Sequence, residues 1–183
     1  MKHLSILVPE GDVSITNIEG THQIFSHIND YLVRSGKEKL FTIQLVGLRK
    51  DSRIKNGLFS IHPEVLLDEV EKTDLIIIPA LQSNIPTALQ KNAEFIPWLV
   101  KQHNSGAAIA SLCLGSFLLA ATGLLKGRKC ATHWVAANDF RNMFPDVQLV
   151  PDSIITDEQG IYSSGGAYSS LNLILYLVEK YAG

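Results

Sequence analysis

The run Leu75–Ile78 in "DLIIIPA" (74–80) narrows the possible folds of this chain more than any other stretch. Four apolar residues in a row leave no polar face, so a strand made of them has to be covered on both sides. Similar buried runs occur at "HLSILVP" (3–9), "LFTIQLVGL" (40–48) and 107–112. Between and after them the apolar spacing turns helical. One helix runs from about Ile18 to Arg34, with Ile18, Ile24, Phe25, Ile28, Leu32 and Val33 toward one side. Others cover 92–106, stopped by Gly106, then 114–121, 135–145 and 167–183, the last with Leu171, Ile174, Leu175 and Val178 as its core stripe. Short strands are expected at 129–134 and 147–150, with a further pair in 153–166 turning at Glu158–Gly160. Alternation of this kind predicts an α/β sandwich around a mostly parallel sheet. Pockets in such sheets open at the carboxyl ends of the strands, where Pro9–Gly11, Pro79–Leu81 and Cys113 fall.

With 183 residues, 46% hydrophobic and 19% charged, the chain is read as one domain, 1–183, that needs no disulfide or metal staple. A net charge of −2 without any long like-charge block argues against nucleic-acid binding by this surface. The basic stretch "LRKDSRIK" (48–55) reads as a solvated loop. Cys113 and Cys130 fit a reducing compartment, and neither has a second ligand at zinc spacing, so no metal is expected. No segment approaches the ~20 apolar residues of a membrane span, and "MKHLSILVPEG" is too short for a signal core. The expectation is a soluble, cytoplasmic protein without a cofactor.

Cys113 stands where a buried strand meets a helix whose first residues, Gly115 and Ser116, are small. A side chain on so sharp a turn projects into the cleft, and the amides of the following helix favour its thiolate form. A lowered thiol pKa is therefore the expectation, against the alternative of an inert core cysteine.

The blocks "PWLVKQHNSGAAIASLC", "GLLKGRKCATHW" and "YSSGGAYSSLNLILYLVEKYAG" resemble the ThiJ/PfpI superfamily, the class I glutamine amidotransferase-like group. Within it the chain is most similar to the N-terminal domain of AraC-type transcriptional regulators, and it shares blocks with enzymes of the isonitrile hydratase kind. The resemblance covers nearly the whole chain. It implies a flavodoxin-like three-layer sandwich with a cysteine elbow. It further implies a longer native protein in which helix-turn-helix motifs follow residue 183 and contact DNA.

The same resemblance identifies what catalysis would need. An acidic residue is implied at the start of the first helix, where "SITNIEG" places Asn17, which cannot exchange a proton. Glu19 lies roughly 200° farther around a helix of 3.6 residues per turn and points away. Leu114 replaces the threonine that follows the cysteine in hydratase-like members. Pro79-Ala80-Leu81 replaces Pro-Gly-Gly, so Cβ atoms crowd the expected oxyanion site. His133 matches the family histidine and either pairs with the thiolate or packs beside Trp134. His22, His27 and Asp139 read as surface residues.

A ligand pocket is expected from Cys113, Leu114, Asn17, Ala80, Leu81, His133 and Gly11, with Cys113 and His133 as the catalytic pair if the chain is an enzyme. The reading is an effector-sensing, dimerising domain of a regulator, catalytically silent, whose partners are a small-molecule effector, a second copy and, through another domain, DNA. The alternative is a cysteine-dependent hydratase or hydrolase. A redox-sensing member, with Cys113 oxidised to a sulfinate, is a third reading that lacks the neighbouring acid.

Overall fold

The computed structural model describes residues 1–82 and 84–183, with the backbone alone of Ala167. Seven strands form the central sheet: β1 (Lys2–Val8), β2 (Phe41–Gly47), β5 (Val65–Leu66), β6 (Leu75–Ile78), β7 (Ala108–Ser111), β10 (Ile155–Asp157) and β11 (Ile161–Ser164). Their order is β10-β11-β7-β6-β1-β2-β5, parallel throughout except for the β10–β11 hairpin. Two small pairs lie outside it, β3 (Ser52–Ile54) with β4 (Phe59–Ile61), and β8 (Lys129–Cys130) with β9 (Gln148–Leu149).

The strand residues alternate strictly between two cores, as the pleat requires. Leu4, Ile6, Val8, Leu75, Ile77, Ala108 and Ala110 pack against α1 (Ile15–Arg34) and α6 (Ala167–Ala182). Leu7, Ile76, Ile78, Ile109 and Ile161 pack on the other face. Their partners there are α2 (Ile85–Lys91), α3 (Phe95–Asn104), α4 (Ser116–Ala121) and α5 (Ala137–Met143). A three-layer α/β sandwich results, and the fully apolar Leu75–Ile78 strand is buried at its centre, covered on both sides as its sequence demands.

Four local expectations are corrected. The stretch 48–55 is not all loop, because Ser52 and Ile54 are buried while Arg53 between them is exposed, the period of a strand. The expected strand 129–134 stops at Cys130, since the Ala131 N–H turns away to the Ser163 hydroxyl at 2.7 Å. The helix expected from 92 starts at Phe95, because buried Asn92 ends a separate α2 by donating to the Ala88 carbonyl at 2.8 Å. In α6 the buried stripe is Leu173, Ile174 and Leu177, whereas Leu171 and Leu175 are 43% and 56% exposed. Apolar spacing marks a helix but does not say which of two apolar stripes meets the sheet.

The cysteine elbow, a candidate functional site

Leu112 continues the register of β7 by donating its N–H to the Ile78 carbonyl at 2.9 Å, and the chain then reverses at Cys113. Cys113 takes a φ of +52°, in the left-handed region that costs a side chain ~1–2 kcal/mol. A single 3-10 turn, Cys113–Gly115, leads into α4. Gly115 permits this by its size, because a Cβ there would lie 2.5 Å from the Ile78 carbonyl oxygen and 2.7 Å from that of Pro79. The elbow is thus wedged against the carboxyl end of β6.

Hydroxyls hold the turn from behind. The Cys113 N–H donates to Ser164 Oγ at 3.4 Å, and Thr132 Oγ1 donates to the Cys113 carbonyl at 3.5 Å. Thr132 and Ser116 share a hydrogen bond of 2.7 Å, Ser163 pairs with Thr156 at 2.6 Å, and Ser164 with Ser170 at 3.4 Å. All of these side chains are buried. Sequence reasoning missed them. Their signal was the "SS" that ends the buried strand β11, a polar pair with no solvent to satisfy it.

Among the described residues no carboxylate or histidine makes a hydrogen bond or ion pair with Cys113. Burial pushes its thiol above the ordinary value, and the hydrogen bond from the Leu114 N–H pulls the other way without prevailing. The expected lowering is therefore corrected: loss of hydration outweighs the amide at so short a helical turn. Burial also raises Cys130, to about 12.

Asn17 has a different task from the one its position suggested. Its Oδ1 accepts the Ala80 N–H at 3.0 Å, and the next residues form an antiparallel bridge, Val13 with Leu81. Ala80, Leu81 and Asn17 are all buried, Leu81 completely. The Ala80 amide, which the family resemblance implied for an oxyanion, is occupied by a side chain of the protein itself.

His133 is half-buried and caps the 3-10 turn Trp134–Ala136, its Nδ1 accepting the Val135 N–H at 3.2 Å while its ring stacks on Trp134. Among the described residues this ring makes its hydrogen bond with Val135 and its stacking contact with Trp134, and none with the Cys113 sulfur. It lines a cleft of about 460 Å³ with Thr132, Trp134, Ile154 and Tyr168, among others. Gly11 lines a second cleft, of about 430 Å³, beyond the end of β1. In the strand order β11-β7-β6-β1 these two openings flank the elbow, one on the β11 side and one on the β1 side. Cys113 borders neither. Glu19 and His22 are exposed and line a shallow apolar groove between α1 and the β3–β4 hairpin. His27 and Asp139 are exposed as expected. Among the described residues no cluster of His, Cys, Asp or Glu is arranged to hold a metal, and no helix is long and apolar enough to cross a membrane.

A parallel α/β sandwich in which β7, the strand beside the central β6, delivers a cysteine at positive φ to the sheet's carboxyl rim defines a class, the flavodoxin-like folds with a nucleophile-type elbow. The chain belongs to the DJ-1/PfpI family, which its residues 29–180 match. It is 30% identical over 132 residues to the HTH-type transcriptional regulator CdhR of Pseudomonas aeruginosa, covering 70% of this chain and 37% of that protein. It is 23% identical over 125 residues to the isonitrile hydratase of Pseudomonas putida, covering 67% of this chain and 52% of the enzyme. The chain therefore spans about a third to a half of the length of these relatives. An AraC family transcriptional regulator from Pseudomonas putida has the same fold, with a TM-score of 0.81 at 17% identity over 100% of this chain and 94% of that one.

Proposed function

We infer that this chain is the effector-sensing and dimerising domain of an AraC-type transcriptional regulator and that it performs no turnover. The observation that carries the reading is the closed state of the elbow. A nucleophilic cysteine needs a thiolate, a proton carrier and free amides. Here the thiol is held protonated by burial, the Ala80 N–H is taken by Asn17 and the Cys113 N–H by Ser164. Relatedness to CdhR supports the regulatory role. In this reading the effector binds at the carboxyl rim of the sheet, in the cleft that Gly11 lines and not over the buried Asn17, Ala80, Leu81 and Cys113, and the complete protein works in the cytoplasm, reaching DNA through a separate helix-turn-helix domain.

Two measurements test it. Iodoacetamide labelling of Cys113 followed against pH is expected to show a midpoint above ~8.5, the free-thiol value. In a mobility-shift assay, residues 1–183 alone are expected not to retard DNA. The isonitrile hydratase relative supports a second reading, catalysis at Cys113. A labelling midpoint well below ~8.5, with turnover of an isonitrile abolished in Cys113→Ser, would establish that enzyme instead.

A further inference from the structure

The basic stretch 48–55 plays no part in the elbow, yet the fold gives it a defined place. The turn joining β3 to β4 carries Lys55, Asn56 and Gly57 at φ +53°, +55° and +85°. Its first residue is tied to the sheet's carboxyl rim. The Lys55 N–H donates to Asp12 Oδ1 at 2.8 Å, and Lys55 Nζ donates to Gln82 Oε1 at 2.9 Å. Asp12 follows β1 and Gln82 follows β6, so the hairpin is pinned over the ends of the two central strands. The cleft of about 430 Å³ at this place is lined by Gly11, Asp12, Arg53, Asn56, Gly57 and Lys91.

We propose that this cleft binds a small organic anion, a carboxylate or a phosphate ester, between Arg53 and Lys91. The inference deepens the sensing-domain reading by naming the chemical class of the effector, and it rests on that reading only for the signalling role. Arg53 comes from β3 and Lys91 from the end of α2, so two separate elements bring cations to one concavity. Lys91 has no partner among the described residues, and Arg53 has only exposed Asp51, at 3.4 Å. The Gly11 and Asn56 N–H groups are likewise unpartnered among the described residues, and both residues line the cleft. Two carboxylates lie near: Asp12 lines the cleft and accepts the Lys55 N–H, and Glu10 faces Arg49 through Oε2 at 3.9 Å while its buried Oε1 has no hydrogen-bond partner among the described residues. A concavity of this size suits a metabolite, in which convergent cations grip one anionic group. A nucleic-acid backbone instead needs cations spread along a face.

The test is titration of the ¹⁵N-labelled chain with inorganic phosphate and, separately, with succinate at constant ionic strength. Amide shifts are expected to concentrate at Gly11, Asn56 and Gly57 for at least one of the two, and the responding probe tells phosphate from carboxylate recognition. The pair Arg53→Gln and Lys91→Gln, both at exposed positions, is expected to weaken binding at least about tenfold, with Lys39→Gln leaving it unchanged. Three results would overturn the proposal: no shift at those amides with either probe up to about 20 mM, equal weakening by Lys39→Gln, or shifts there only with duplex DNA. Because binding is read on this chain alone, its failure leaves the sensing-domain reading standing. Failure of that reading in the labelling assay would leave a measured anion site in place.

Discussion

Gly115 and Cys113 share one turn and obey opposite constraints. Cys113 accepts an unfavourable φ so that the chain can reverse, while Gly115 has an ordinary φ of −61° and is required only for space. Its contacts are the backbone carbonyls of Ile78, which ends β6, and of Pro79 after it, which cannot swing aside as a flexible side chain would. Gly115→Ala is expected to lower stability by about 2–4 kcal/mol, measured by urea unfolding. The two thiols make a pH prediction. Each has a folded-state pKa raised by burial, so the folded protein holds its proton to higher pH than the unfolded chain does. That contribution is fully present below the unfolded thiol value and is lost as pH rises through the folded one. Unfolding free energy should thus decline from about pH 8.5 upward, with the decline less steep in Cys130→Ala. A flat profile across that window would contradict the assigned burial of both thiols.

Elements are tied together here by buried amide side chains. Asn29, on α1, accepts the Leu40 and Phe41 N–H groups at 3.1 and 3.0 Å and donates to the Phe41 carbonyl at 2.8 Å. One side chain thereby supplies the start of β2 with partners it would otherwise lack, and Phe41 beside it packs edge-on to Phe25 of the same helix. Asn92 does the same between the end of α2 and the loop after β1, accepting the Glu10 N–H at 2.7 Å and donating to the Glu10 carbonyl at 3.0 Å. Gln102 joins α3 to the residues before β6, accepting the Thr73 N–H at 3.2 Å. Removing any of them orphans backbone groups at a cost well above that of a solvated hydrogen bond. Asn29→Ala is expected to cost about 2–4 kcal/mol and to lower the urea midpoint without changing the slope. A loss under about 0.5 kcal/mol would mean that water replaces the side chain at that site.

At the scale of the molecule, one of the apolar surfaces left uncovered runs along one side of α6 and beside the His133 cleft; others lie on α1, at Tyr31 and Val33, and on the β3–β4 hairpin, at Leu58 and Phe59. Tyr168, Leu171 and Leu175 are 88%, 43% and 56% exposed, at helical spacing along one face. Trp134 and Ile154 are exposed as well, and with Tyr168 they line the neighbouring cleft. Patches of this kind on a domain mark association surfaces. Sedimentation of the chain is expected to show a dimer that Leu175→Glu weakens at least about tenfold with no change in thermal unfolding of the monomer. A monomer at all accessible concentrations would remove this face from consideration.

The sequence by itself determined the layered fold and the location of the elbow. Both follow from short-range pattern: the unbroken Leu75–Ile78 run has to be covered twice, apolar residues at helical spacing supply the cover, and Cys113 with Gly115 sits at the joint. Only the tertiary structure decided what the elbow can do. Asn17 satisfies the N–H of Ala80, 63 positions away, and Ser164 satisfies that of Cys113, 51 positions away. The ring of His133 is committed to Val135, and a neutral thiol follows from enclosure that no local spacing records. The stripe of α6 that meets the sheet was likewise decided by packing. Periodicity acts within a few residues of the chain, whereas the satisfaction of buried polar groups depends on whichever partner the folded chain brings near.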